Sequence, residues 1–204
     1  MGHQIAMVSG SIRHESLNRQ LLSVAESVAE NRPYKVRVEF LDIHSLPFYD
    51  GDREAENTPA EVLEAKRFVR SCDGLVIATP EYNGAPPGVL QNALDWLSRP
   101  WGNSPLTGKP VVTLSASPGP GGARTAQDRL RQILIRCGAQ PTGEPFSVPC
   151  ADWLCDPELT DTGSVLAGQL ADLLDTLLSA RSPAPPGRPL RQWRRPPAPE
   201  EALG

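Results

Sequence analysis

Four apolar runs, at residues 4–9, 34–41, 73–79 and 110–116, alternate with stretches of helical periodicity. No other feature constrains the fold as strongly. The first, third and fourth runs are nearly all apolar or small, as expected of strands covered on both faces. Between the runs, Leu17, Leu21, Ala25 and Val28 share one helical face, as do Val62, Ala65 and Val69. Leu90, Ala93, Leu94 and Leu97 form a third face, and Ala126, Leu130, Ile133, Leu134 and Cys137 a fourth. Thr58-Pro-Ala-Glu61 has the form of a capping box with proline at the first helical position, so a helix is expected to start there. A weaker strand over 140–148 is broken by Pro141 and Pro145, and a last helix over 163–180 turns Leu166, Leu170, Leu173 and Leu177 inward. Five strand–helix alternations predict an α/β fold, a doubly wound five-stranded parallel sheet with helices on both faces. Ligands of such sheets sit at the carboxyl ends of the strands.

Residues 1–181 read as one domain. From Ser182 the chain becomes rich in proline and poor in apolar residues, too poor to offset its ordering entropy. The 182–204 segment is read as a disordered tail, with docking of Trp193 and its arginines on a neighbouring subunit as the alternative. RNA binding by the tail is a weaker reading, because the basic cluster is short and ends in Glu200-Glu201. The net charge of −4 gives no general attraction to nucleic acid or to an acidic membrane. No segment has the length of apolar sequence needed to span a bilayer, and no export signal is visible, so a cytoplasmic protein is expected. The four cysteines form no Cys-x-x-Cys and the three histidines are scattered, which argues against a zinc site. Cys150 and Cys155 are close enough in sequence to approach each other, although free thiols are the expectation in the cytoplasm.

Chemistry concentrates where the first strand gives way to a helix, in "VSGSIRHESLNRQLL". Such a junction collects orphan backbone N–H groups and the positive end of the helix dipole. Ser9, Ser11 and Ser16 add hydroxyls, Asn18 an amide, and Arg13 a guanidinium fork that matches phosphate oxygens. The set suits one phosphate monoester, whereas both G-x-G-x-x-G and the NTPase loop are absent. A purely structural reading has Ser16 capping the helix and Arg13 solvated.

Two further loops follow the third and fourth strands and face the same crevice in a sheet of order 2-1-3-4-5. Glu81-Tyr82-Asn83-Gly84, after Pro80, is turn-forming and polar, with backbone groups suited to a flat heterocycle and a tyrosine as apolar wall. In "SASPGPGGARTAQDRL", Ser115 and Ser117 precede Gly119, Gly121 and Gly122, which let backbone pass close to a ring system. A phosphate cup, a polar turn and a glycine-rich floor together make a mononucleotide site, with flavin mononucleotide (FMN) as the natural candidate.

"GSIRHESLNRQLL", "PEYNGAPPGVLQNALDWLSRP" and "LTGKPVVTLSASPGPGGARTAQDRLRQIL" also resemble the NAD(P)H-dependent FMN reductase family, which includes quinone, chromate and azo-dye reductases. The likeness spans residues 4 to 140. It implies a flavodoxin-like fold, noncovalent FMN, NADPH or NADH as co-substrate, and a homodimer or homotetramer with the flavin near a subunit interface. Carried over by motif, Ser11, Arg13, Ser16, Leu17 and Asn18 would hold the phosphate. Pro80, Glu81, Tyr82, Asn83 and Gly84 would line the isoalloxazine. Ser115, Ser117 and Gly119 through Gly122 would contact its other side or the ribityl chain. Ala85 stands where the family often has serine, so one hydroxyl contact is missing.

The resulting expectation is a ping-pong oxidoreductase that moves hydride from NAD(P)H to FMN and on to a quinone, azo compound, metal oxyanion or free flavin. The cofactor would carry the chemistry, and no catalytic side chain is assigned. Glu81 reads as a loop-orienting residue, with general acid as the alternative. No G-x-S-x-G elbow supports a hydrolase. Asp95 and Trp96 read as packing or interface residues, and Arg99 and Trp101 as candidates to border a shared flavin cleft. The rivals are a flavin-binding electron carrier and a regulatory flavoprotein subunit.

Overall fold

The computed structural model describes residues 2–155 and 160–180. The 182–204 tail, with Trp193, lies outside the described residues, as does the side chain of Cys155. Strands β1 (His3–Ser9), β2 (Val36–Phe40), β3 (Gly74–Ala78) and β4 (Pro110–Ala116) occupy the four apolar runs. They pair in parallel, as alternation of strand and helix requires, in the order β2-β1-β3-β4.

The fifth sheet position is split. Two short strands, β5 (Gln140–Pro141) and β6 (Phe146–Val148), pair in parallel with successive parts of β4. Pro141 and Pro145 have no N–H for the ladder. The order 2-1-3-4-5 therefore holds, with the last strand made of two pieces.

Side chains alternate across the sheet and build two cores. Ala6, Val8, Leu75, Ile77 and Val111 pack under α3 (Ala60–Ser71), α4 (Gly88–Leu97) and α5 (Arg124–Arg136). Ile5, Met7, Val76, Val112 and Leu114 pack under α1 (Leu17–Glu30) and α6 (Thr160–Ser179). The fully buried Trp96 donates its indole N–H to the Pro47 carbonyl at 2.8 Å, which ties the loop after β2 to α4. Cys72, Cys137 and Cys150 carry free thiols, and burial pushes the Cys72 thiol up to about 11, which leaves it unreactive near neutral pH. Among the described residues, no helix is long and apolar enough to cross a membrane.

Three local expectations are corrected. A short helix, α2 (Gly51–Glu56), precedes α3, and the Thr58 hydroxyl donates back to the Glu54 carbonyl at 3.2 Å. α3 starts from Pro59, one residue beyond Thr58, without a side-chain cap. In α6 the third inward leucine is Leu174, with Leu173 only partly buried. That helix also begins earlier than expected, at Thr160.

Candidate functional site

Three loops meet at the carboxyl edge of the sheet and enclose a cleft of about 440 Å³. From the first loop come Ser11, Arg13, Glu15, Ser16, Leu17 and Asn18. Ser16 is the N-cap of α1, its oxygen accepting from the Arg19 amide at 3.4 Å. Its O–H remains available to donate. The same holds for Ser11, whose oxygen accepts from the Arg13 amide at 3.3 Å. The first-turn amides of Leu17 and Asn18 are orphan donors by the geometry of a helix start. The exposed Arg13 guanidinium has no hydrogen bond or ion pair among the described residues. Unspent donors, one cation and a helix N-terminus therefore face the same space.

Two polar residues of this loop do other work. The Ser9 hydroxyl donates to the Ser11 carbonyl at 3.0 Å and accepts from the Ser11 amide at 3.3 Å, which shapes the loop from behind. Asn18 is 2% exposed, and its amide pairs with the backbone of Ala116 in both directions, at 2.9 and 3.0 Å. It joins α1 to the end of β4 as another strand residue would. Its side chain is thus a positioning group at the cleft wall.

The second loop contributes Pro80, Glu81 and Tyr82. Tyr82 and Ala85 exchange backbone hydrogen bonds at 3.0 and 3.1 Å around Asn83 and Gly84. Asn83 has φ 53° and Gly84 φ 71°, the left-handed pair of a type I′ turn, for which Asn-Gly is the preferred sequence. These two residues form the tip and stand outside the lining, while Tyr82, 46% exposed, presents its ring to the cleft.

Glu81 reaches across to α5. Its Oε2 accepts from the Ala126 amide at 3.2 Å. The N-cap of α5, Ala123, is left-handed at φ 59° and has no side chain to cap with, so Glu81 supplies the missing acceptor from another loop. That is the loop-orienting role. Glu81→Ala is expected to cost the cap, about 0.5 to 2 kcal/mol, whereas Glu81→Gln keeps an acceptor and most of that stability. Urea denaturation of the two variants checks this, and equal losses would contradict the cap.

The third loop contributes Ala116, Ser117 and Pro118. Ser115, Gly119, Gly121 and Gly122 are not among the residues that line the cleft. The buried Ser115 hydroxyl bonds the Gly122 carbonyl and the Ser147 hydroxyl, and receives the Gln127 amide at 2.8 Å. Gln127, fully buried, also donates to the Phe146 carbonyl at 2.8 Å. Together they clamp the glycine loop onto β6. Gly122 sits at φ +60°, and a Cβ there would lie 3.1 Å from Ser147 Cβ and 3.3 Å from Pro149 N, so only glycine fits. Sequence reasoning missed Gln127, which looks like any helical glutamine. It also missed Glu15, Pro118 and Asp152 in the lining. Asp152 belongs to a short 3-10 turn, Ala151–Cys155, which the Ala151 amide ties to the Ser117 carbonyl at 2.9 Å. Glu15 and Asp152 are exposed acids, screened by solvent.

The family model for NADPH-dependent FMN reductases matches residues 3–152. The chain belongs to this family of oxidoreductases. Among NADPH-dependent FMN reductase relatives, a 2-hydroxy-1,4-benzoquinone reductase from a Burkholderia species is 43% identical over 133 residues, which cover 65% of this chain and 70% of the relative. A quinone reductase from Escherichia coli strain K12 is 38% identical over 175 residues, covering 82% of this chain and 91% of the relative. Among solved structures, FerB, a flavoenzyme NAD(P)H:(acceptor) oxidoreductase from Paracoccus denitrificans, superposes with a TM-score of 0.76 at 32% identity, covering 88% of this chain and 99% of FerB. The fold is flavodoxin-like, and a flavodoxin from Pseudomonas aeruginosa aligns with a TM-score of 0.54 at 13% identity, a likeness of fold alone.

Proposed function

We propose that the protein binds FMN in the three-loop cleft and uses NAD(P)H to reduce a quinone-type small molecule. The observation that carries this is the unspent donor set at the start of α1, where Arg13, the Ser11 and Ser16 hydroxyls and the Leu17 and Asn18 amides converge. A phosphate monoester at the end of a flat mononucleotide matches that chemistry. FMN, when bound, supplies a ring that accepts hydride and returns electrons to an acceptor. The chain's own residues bind, orient and shield. Arg13 and the α1 terminus would fix the phosphate end. The rigid Asn83-Gly84 turn would hold Tyr82 and Pro80 along the ring, and Ser117 and Pro118 would close the opposite wall. Asn18, Glu81 and Ser115 each brace one of the three loops from behind.

The turn places no acid–base pair in the cleft, because Glu81 is engaged with α5. One open ring face used in turn by donor and acceptor implies ping-pong kinetics. Eight large apolar side chains are exposed among the described residues, among them Phe48 at 88% and Trp101 at 66%, which supports a homo-oligomer. The purified protein should be yellow, sediment as a dimer or larger, and lose its colour when NADPH is added without oxygen. Added quinone should restore the colour, and rates with NADPH and quinone should give parallel double-reciprocal lines. A mixture that stays yellow with both NADPH and NADH would instead identify an electron carrier.

A further inference from the structure

A second cleft, about 480 Å³, opens on the outer face between α3 and the end of α4, and it shares no lining residue with the flavin cleft. Lys66, Arg67 and Arg70 project from one face of α3, and Arg99 enters from beyond α4. Against these four cations the lining holds one carboxylate, Glu54. Glu54 is already engaged, 3.8 Å from Arg99 and accepting from the Tyr49 hydroxyl at 2.8 Å. Among the described residues, no carboxylate lies within ion-pair distance of Lys66, Arg67 or Arg70.

The guanidinium groups are nonetheless held in place. Arg67 Nε donates to the Leu63 carbonyl at 3.3 Å and Arg70 Nη2 to the Asn103 carbonyl at 3.1 Å. The half-buried Lys66 ammonium lies 5.8 Å from the centre of the Trp96 ring. Burial, then the charges of Arg70 and Arg99, push the Lys66 ammonium below its ordinary range, with Glu54 opposing them. Cations in the last turn of a helix are favoured by its dipole. That accounts for Arg70, and for Arg99 just beyond the end of α4, but not for the burial of Lys66. Like charges four residues apart on a helix repel, as do Lys66 and Arg70 here. Within the lining, cations therefore outnumber carboxylates by three, and Asp95, outside the lining, adds its charge near Arg99.

We propose that this cleft binds a phosphorylated small molecule carrying at least two negative charges. Its volume lies in the range of small-ligand sites, roughly 300 to 1,000 Å³. Two guanidinium forks and an ammonium match clustered phosphate oxygens better than a single carboxylate. The shared chemistry is a diphosphate, free or as part of a nucleotide. The inference stands apart from the flavin assignment, since the two clefts have no residue in common.

Isothermal titration of the full-length, flavin-saturated protein with inorganic pyrophosphate at physiological ionic strength tests it, with ADP as a second arm. Saturable binding with one site per chain is expected. The Lys66→Gln/Arg67→Gln double variant should lose about tenfold or more of that affinity. Arg136→Gln, an exposed cation on another helix, should leave it unchanged. FMN affinity should be the same in all three proteins, which also reports that the variants fold. Tighter binding of ADP would point to a nucleotide, and equal binding to a bare diphosphate, both within the proposal. Absence of saturable heat, an unaffected double variant, or equal loss in Arg136→Gln would overturn it, the last by showing general charge attraction only.

Discussion

Asn18→Leu is expected to lower the stability of the flavin-free protein by about 2 to 5 kcal/mol, as two buried backbone groups are left unpaired at roughly 1 to 3 kcal/mol each. The amide of Asn18 both donates to the Ala116 carbonyl and accepts from its N–H, at 2.9 and 3.0 Å. Leucine keeps the branched outline but is bulkier than asparagine, so the loss comes from the polar groups, with crowding added, and not from a void. At about 2 to 4 °C per kcal/mol for a domain of this size, the melting temperature should fall by roughly 4 to 20 °C. Urea denaturation and thermal melting of apoprotein measure both. If Asn18 acted only as a phosphate ligand, the apoprotein would keep its stability and only the flavin-bound form would weaken.

Arg13→Ala should behave in the opposite way. Arg13 is exposed and has no partner among the described residues, so its removal should change apoprotein stability by less than about 0.5 kcal/mol. Loss of a charge-assisted phosphate contact should cost about 1.5 to 3 kcal/mol of FMN binding, or roughly 10- to 150-fold in Kd. Arg13→Lys should fall between, since an ammonium keeps the charge without the fork. Quenching of flavin fluorescence on titration with apoprotein gives the three values. Native affinity in Arg13→Ala would remove the phosphate from this loop and with it the assignment of the cleft. The pair of variants separates the two roles proposed for the start of α1: Arg13 would meet the ligand, and Asn18 holds the wall.

The boundary between legible and hidden features runs along contact distance in the chain. The four long strands and the inward faces of α3 and α4 could be read because burial on both sides of a parallel sheet writes itself into consecutive residues. The Asn83-Gly84 turn was legible for a similar reason, since its two positive φ angles are a local demand. The capping box at Thr58 failed because α3 is capped at Pro59 while the Thr58 hydroxyl turns back to the Glu54 carbonyl of α2, a helix with too few residues for a periodic pattern. Ser115, Gly121 and Gly122 were expected to touch the ligand. None of them lines the cleft, and the Ser115 hydroxyl is instead bonded to the Gly122 carbonyl, Gln127 and Ser147, partners that no spacing in the chain connects to it.

Alternating apolar and helical periods determined the parallel sheet and the edge where a ligand can sit, because periodicity is set by neighbouring residues and burial acts on each element separately. Which polar groups face that ligand was decided by tertiary structure alone. Asn18 and Ala116 are 98 residues apart in the chain, and Glu81 and Ala126 are 45 apart. A hydroxyl, amide or carboxylate is free to bind a ligand only after the backbone groups that compete for it have been brought within reach, and that competition exists only in the folded chain.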